Sequence, residues 1–259
     1  MIGLRSGEHM PVLSEFDLTG KIAMLSTSGG TEAPFLGQAL AEAGASVFAV
    51  ARTQELLDSV LASLPAGSDG ALLDPNDPGS PKDVMGKFDA AHSKVDILVN
   101  DHRSMFARPL EDISVDEWDT VQTRNSKTTY LISQQVLPRM AKAESGRVVN
   151  MISELAERGM ANGSAFAASQ AAILALTRSF AVEWSHFNIR INAIGTGLMD
   201  TEDQSLETQQ EELLVRYTPL RRKGNPTDIG PLLVYLCSEF CDYSTGQPVY
   251  VDGGLNAHP

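Results

Sequence analysis

Seven short apolar runs recur along the chain: KIAMLS (21–26), SVFAVA (46–51), GALLD (70–74), VDILVN (95–100), RVVNMIS (147–153), IRINAI (189–194) and PVYV (248–251). They are apolar and β-branched with little alternation, the pattern of strands covered on both faces. Longer amphipathic stretches separate them and predict helices over Pro34–Ala43, Thr53–Leu64, Pro81–Ala91, Val115–Met140, Ser164–Ser185 and Pro226–Ser238. Strand and helix in alternation predict a single α/β domain over 1–259, a doubly wound parallel sheet with right-handed crossovers and helices on both faces. Only 198–217, around MDTEDQSLETQQEELLVR, breaks the rhythm. This polar, acidic insertion is either a lid over a ligand or a surface helical excursion that touches none.

Composition narrows the function. Charged residues make up 20% of the 259 positions and the hydrophobic set 42%, as in ordinary globular domains. A net charge of -13 argues against nucleic acid and anionic membrane surfaces, both of which attract Lys and Arg. No apolar run approaches the roughly 18 residues that span a bilayer. The first residues hold no apolar core of a secretion signal, so a cytoplasmic protein is expected, with Met1 and Met10 both candidate starts. Cys237 and Cys241 lie four apart, neither a redox CxxC pair nor a zinc set, and are expected as buried free thiols. The histidines His9, His92, His102, His186 and His258 are scattered, with no HExxH, and no metal site is expected.

Several stretches carry a family likeness. LTGKIAML enters the first strand, and ALAEAGASVFAVAR runs from the first helix to the end of the second strand. VDILVN, SGRVVNMIS and LTRSFAVEW…NIRINAI follow, and GNPTDIGPLLVYLCSEFCDYSTGQPVYVDGG closes the chain. From Leu18 to Gly254 the sequence resembles the short-chain dehydrogenase/reductase family. The resemblance implies a Rossmann sheet, a dinucleotide across the carboxyl ends of its strands, and hydride transfer to or from a carbonyl or alcohol.

Against that family pattern the chain departs at three places. Where the family has TGxxxGxG after the first strand, this sequence has Ser26 to Ala33, so that Thr27, Thr31 and Ala33 stand at the glycine positions. Side chains there obstruct the backbone's approach to a diphosphate. Glu32 places a carboxylate at the start of the following helix, the end that otherwise attracts phosphate. A loop shifted onto Gly29 and Gly30 is the remaining way to cradle one. At the fourth strand's exit, NNAG in the family, the chain reads Asn100, Asp101, His102, Arg103. These are either surface charges filling a disused pocket or a new acid/base pair of Asp101 and His102.

The family's catalytic set is Asn, Ser, Tyr and Lys. Asn125 and Ser153 match the first two, and thirteen residues beyond Ser153 stands Phe166, with Gln170 at the Lys position. Phe has no proton to exchange with a substrate oxygen, and Gln no charge to lower a neighbour's pKa. Tyr130 and Tyr217 are out of register. By resemblance, Arg52 matches a position that holds the 2'-phosphate of NADP, Asp74 one beside adenine, and Thr201 one near nicotinamide. The family's PG after strand six is Thr196-Gly197.

These departures lead to the expectation of a catalytically inactive subunit that binds no cofactor itself and supports an active NAD(P)-dependent homologue. Contacts with that homologue, or with a second copy in a dimer or tetramer, are expected through Val115–Met140, the Ala-rich Ser164–Ser185 and Pro226–Val251. One alternative is a cofactor-independent, non-redox enzyme resembling the halohydrin dehalogenases or a lyase. The other is a residual NADP-dependent oxidoreductase.

Overall fold

The computed structural model describes residues 16–257. Both candidate starts, together with His9 and His258, lie outside the described residues. All seven expected strands form: β1 (Ile22–Thr27), β2 (Ser46–Ala51), β3 (Asp69–Leu72), β4 (Ile97–Asp101), β5 (Gly146–Ser153), β6 (Ile189–Thr196) and β7 (Pro248–Val251). They build one parallel sheet in the order β3-β2-β1-β4-β5-β6-β7. The order turns back on itself between β1 and β4, and a crevice opens at such a switch point beyond the strands' carboxyl ends.

Two helical layers cover the sheet. On one face α1 (Ala33–Glu42), α2 (Gln54–Ala62) and, late in the chain, α9 (Gly230–Cys237) bury Leu36, Leu40, Leu57, Val60 and Leu233, the first two helices over β1 and β2 and the last over β5 and β6. On the other face lie α3 (Ser80–Ala91), α5 (Thr128–Lys142) and α6 (Ser164–Trp184), contributing Val84, Phe88, Val136, Leu137 and Phe180. Local chemistry sets the helix starts. Thr53 caps α2 by accepting from Leu56 N at 3.3 Å. Ser114 and Glu117 form a reciprocal capping box at α4 (Val115–Gln122).

The helix expected to run unbroken over Val115–Met140 does not do so. A π-helical turn, Thr123–Lys127, separates α4 from α5 and carries Asn125. Such turns insert one residue and re-aim the side chains around them. The 198–217 insertion folds as two short helices, α7 (Leu206–Glu211) and α8 (Leu213–Tyr217). Contrary to the expectation that no segment is apolar enough to span a bilayer, Ser164–Phe187 passes by length and composition, with mean hydropathy 1.3. Its Ile173, Leu174 and Phe180 are instead packed into the protein core, which accounts for the composition. Cys237 and Cys241 are buried free thiols, and among the described residues no His/Cys/Asp/Glu cluster could hold a metal.

Candidate active site

The crevice at the carboxyl ends of β1, β4 and β6 is spanned by one side chain. Arg103 lies just past β4, its guanidinium buried, and donates from Nε to Asp101 Oδ1 at 2.7 Å and from Nη2 to Glu32 Oε2 at 3.3 Å. Its Nη1 donates to Thr196 Oγ1 at the end of β6. Burial alone works against the charge, but the Asp101 and Glu32 carboxylates outweigh it and hold Arg103 firmly protonated. The residues at the strand-four exit are therefore not surface charges. They form a buried ion cluster that ties the β1 loop to β4 and β6.

The loop after β1 is shaped around the same cluster. Thr27 Oγ1 donates to Asp101 Oδ2 at 3.3 Å, and Ser28 N donates to the Asp101 carbonyl at 3.2 Å. A Cβ at Gly30 would collide with the Asp101 carboxylate, so the position needs glycine because the side chain of β4 lies against it. Glu32 occupies the N-cap of α1 but makes no capping bond; its carboxylate turns to Arg103. The expected anion at the helix start is thus present and already paired. Thr31 is exposed and donates to Glu32 Oε2 at 3.4 Å, while Ala33 is buried in the first turn.

Asp101 and His102 are not an acid/base pair. Both ring nitrogens of His102 are buried with no partner, and burial pushes its pKa down to about 3. Asp101 is engaged by Arg103 and Thr27 instead.

At the end of β5, the residues expected together are together. Gln170 Oε1 accepts from Ser153 N at 3.1 Å, and its Nε2 donates to the His102 carbonyl at 3.2 Å, so this amide clamps β5 to the β4 exit. Phe166 is buried one turn before it on α6. Asn125 donates to Ser169 Oγ at 2.9 Å and exchanges bonds with both backbone groups of Ser104. Ser153 Oγ lies 2.9 Å from Glu154 Oε2 and accepts from Leu155 N at 3.2 Å. Burial raises the Glu154 carboxyl above the ordinary range, against the opposing hydrogen bond from Ser153. Glu154 belongs to no motif; its one signal in the sequence is a carboxylate directly after the candidate serine in SELAER.

A second cavity, of about 460 Å³, opens beyond β2 and is lined by Arg52, Asp74, Asn76, Asp119, Thr123 and Arg124. Arg52 and Arg124 repel one another enough to add to the lowering of the Arg52 pKa that burial causes. Among the described residues neither makes an ion pair, and Arg52 Nε is buried without a partner. Arg124 was not picked out from the sequence, because it reaches this cavity from the π-helical turn, 72 residues after Arg52. Thr201 is exposed on the loop after β6.

The comparisons with known proteins agree with one another. A family model described as enoyl-(acyl carrier protein) reductase matches residues 35–256. The 3-oxoacyl-[acyl-carrier-protein] reductase FabG of Chlamydia pneumoniae is 33% identical over 248 residues, 93% of this chain and 99% of the relative. The 2-dehydro-3-deoxy-D-gluconate 5-dehydrogenase of Dickeya dadantii is 32% identical over 256 residues, 94% and 98% of the two chains. In structure, the gluconate 5-dehydrogenase of Burkholderia cenocepacia J2315, solved with NADP and tartrate, superposes with a TM-score of 0.84 at 25% identity, covering 95% of this chain and 99% of its own.

Relatives this similar over nearly their whole length are reductases and dehydrogenases, which overturns the expectation of a catalytically inactive subunit. The NADP in the structural neighbour likewise overturns the expectation that this chain takes no cofactor of its own. The active partner subunit, inferred only from the chain's supposed inactivity, loses its basis. Physically, the side chains at Thr27, Thr31 and Ala33 alter how a diphosphate is approached, but they leave the Arg52 and Arg124 cations standing.

Proposed function

We propose, from the premise that this chain belongs to the short-chain dehydrogenase/reductase family, that it is an NADP-dependent oxidoreductase acting on a carbonyl or alcohol. The observation that carries this reading is the unpartnered buried Nε of Arg52 beside Arg124, two guanidiniums that make no ion pair among the described residues although Asp74 and Asp119 line the same cavity. That is a guanidinium donor short of an acceptor, and the adenosine phosphate of NADP supplies one. Asp74 and Asn76 on the same cavity offer acceptor and donor atoms to the attached base and sugar.

In the crevice at the switch point the fit depends on Arg103. Its guanidinium fills the space between Glu32, Asp101 and Thr196, so a dinucleotide's diphosphate is admitted only when Arg103 turns away from its carboxylates. Arg–phosphate and Arg–carboxylate bonds are alike in kind, so this exchange replaces one charge-assisted pair by another. When bound, a reduced nicotinamide supplies the hydride. This chain supplies the polar frame around the reacting oxygen: Ser153 as hydrogen-bond donor, Gln170 holding the Ser153 backbone, and Asn125 fixing the segment after β4.

The exposed apolar side chains of α7 and α8, Leu206, Leu213, Leu214 and Tyr217, suit a lid that closes on substrate. Exposed Val115, Trp118, Tyr130 and Val182 on α4 to α6 suit self-association of identical chains.

Fluorescence titration of the purified protein with NADPH and NADH tests the main reading. Saturable binding that favours NADPH, weakened about tenfold or more by Arg52→Ala or Arg124→Ala, is expected. No saturable binding of either dinucleotide sinks it.

A further inference from the structure

A carbonyl reductase of this family needs a proton for the substrate oxygen, and Phe166 stands where the resemblance implies the donor. The geometry points to Glu154 as the group that restores the proton given up by Ser153, so that a carboxyl–hydroxyl pair on adjacent residues delivers the proton. This inference rests on the oxidoreductase reading and names a positioning and proton-supplying residue for it.

The bond inventory of Ser153 Oγ carries the argument. A hydroxyl offers one hydrogen and two lone pairs. One lone pair accepts from Leu155 N at 3.2 Å, and Glu154 Oε2 lies 2.9 Å away. With Glu154 ionised, the single hydrogen of Ser153 points at the carboxylate and is lost to the substrate. With Glu154 protonated, its O–H donates to the second lone pair, and the Ser153 hydrogen is free for the substrate oxygen. Gln170 holds the Ser153 backbone through Oε1, so the hydroxyl keeps its place while protons move.

The transfer balances. Hydride addition leaves an alkoxide on the substrate; that oxygen takes the Ser153 Oγ proton as the Oγ–H bond breaks. The Glu154 Oε2–H bond breaks in turn and its proton remakes Oγ–H. Glu154 ends as a carboxylate and is reprotonated from solvent. Three charged groups act on it: Arg103 and Arg158 favour the carboxylate, and Asp252 opposes it. Burial is the largest influence and keeps the acid form populated above the ordinary carboxylate range.

Two measurements test the pair. In steady-state NADPH-dependent reduction of a 3-oxoacyl thioester, Glu154→Gln is expected to lower kcat about 10²–10⁴-fold, the usual range for a lost general acid. KM and NADPH affinity should stay within about threefold. The wild-type fall in kcat with rising pH, set by loss of the acid form, should disappear in the variant. Independently of turnover, isotope-edited infrared or NMR titration should place Glu154 above the usual midpoint of about 4.3. It should lie higher still in Ser153→Ala, which removes the bond that favours the carboxylate. An ordinary Glu154 midpoint, or a Glu154→Gln enzyme that keeps both its rate and its pH limb, overturns the pair. Absent NADPH binding alongside a raised Glu154 midpoint overturns the oxidoreductase reading instead.

Discussion

Arg52 beyond β2 and Arg103 beyond β4 differ in what surrounds them. Arg52 is half-buried, shares its cavity with a second cation and makes no ion pair among the described residues. Arg103 is buried between two carboxylates and a threonine hydroxyl, with Nε, Nη1 and Nη2 all engaged. The first is a cation with unmet demand, the second a cation whose demand the fold has met. An added acceptor therefore meets a free donor at Arg52 and has to displace existing partners at Arg103.

That contrast breaks most sharply on stability. Arg103→Met leaves Asp101 and Glu32 buried without their counter-ion. Losing one partner of a buried ion pair costs about 3–5 kcal/mol. Chemical denaturation should show a loss of that size, while Arg52→Met should leave the midpoint nearly unchanged. Equal effects at the two positions would mean that the Arg103 cluster is not the structural tie its geometry indicates. In Glu32→Gln with Asp101→Asn, the same cation loses its competitors, so NADPH should bind more tightly although the fold is weaker.

A smaller effect distinguishes the charged cluster from its neutral neighbour. His102 lies between Asp101 and Arg103 in sequence, yet burial holds it neutral down to a pKa of about 3. In the unfolded chain it titrates near 6.5, so between those values the unfolded state binds the extra proton. The stability associated with neutral His102 is thus present above about pH 6.5 and is lost as pH falls towards 3. Each pH unit within that window is worth roughly 1.4 kcal/mol at most. From pH 6.5 to pH 5 the wild type should lose up to about 2 kcal/mol more than His102→Leu, which has nothing to protonate there. Parallel pH–stability curves for the two proteins would show that His102 is hydrated in solution.

How much of this was legible in the chain follows from the range of each interaction. The strands were readable because continuous apolar runs such as SVFAVA have no stable place except between two covering layers. Ser153, Phe166 and Gln170 were brought into register by the family resemblance, and the end of β5 and one face of α6 hold them at that separation. The state of Glu32 and Asp101 was not legible. Glu32 reads as an obstacle to phosphate and Asp101 as a pocket-filling charge or an acid/base partner of His102, but their partner Arg103 reaches Glu32 across 71 positions of sequence. Altered glycines do not make a dead enzyme for a related reason: Arg124 joins Arg52 through a π-helical turn inside a stretch whose sequence predicts plain helix. Glu154 was passed over because its raised pKa comes from burial, which no local motif records.

The least visible change to the fold should be the most informative about the crevice. Arg52→Ala removes no ion pair and only a half-buried side chain, so its stability should lie within about 0.5 kcal/mol of the wild type, as for surface substitutions away from special features. It also relieves the repulsion with Arg124. What it should lose is discrimination: NADPH affinity falls towards that of NADH, and added salt weakens the wild-type preference for NADPH much more than it weakens NADH binding. If Arg52→Ala and Arg124→Ala each abolish only part of the preference and the double variant abolishes all of it, the two guanidiniums grip one phosphate. A preference that survives in the double variant would move the anion site away from this cavity and towards Arg103 at the switch point.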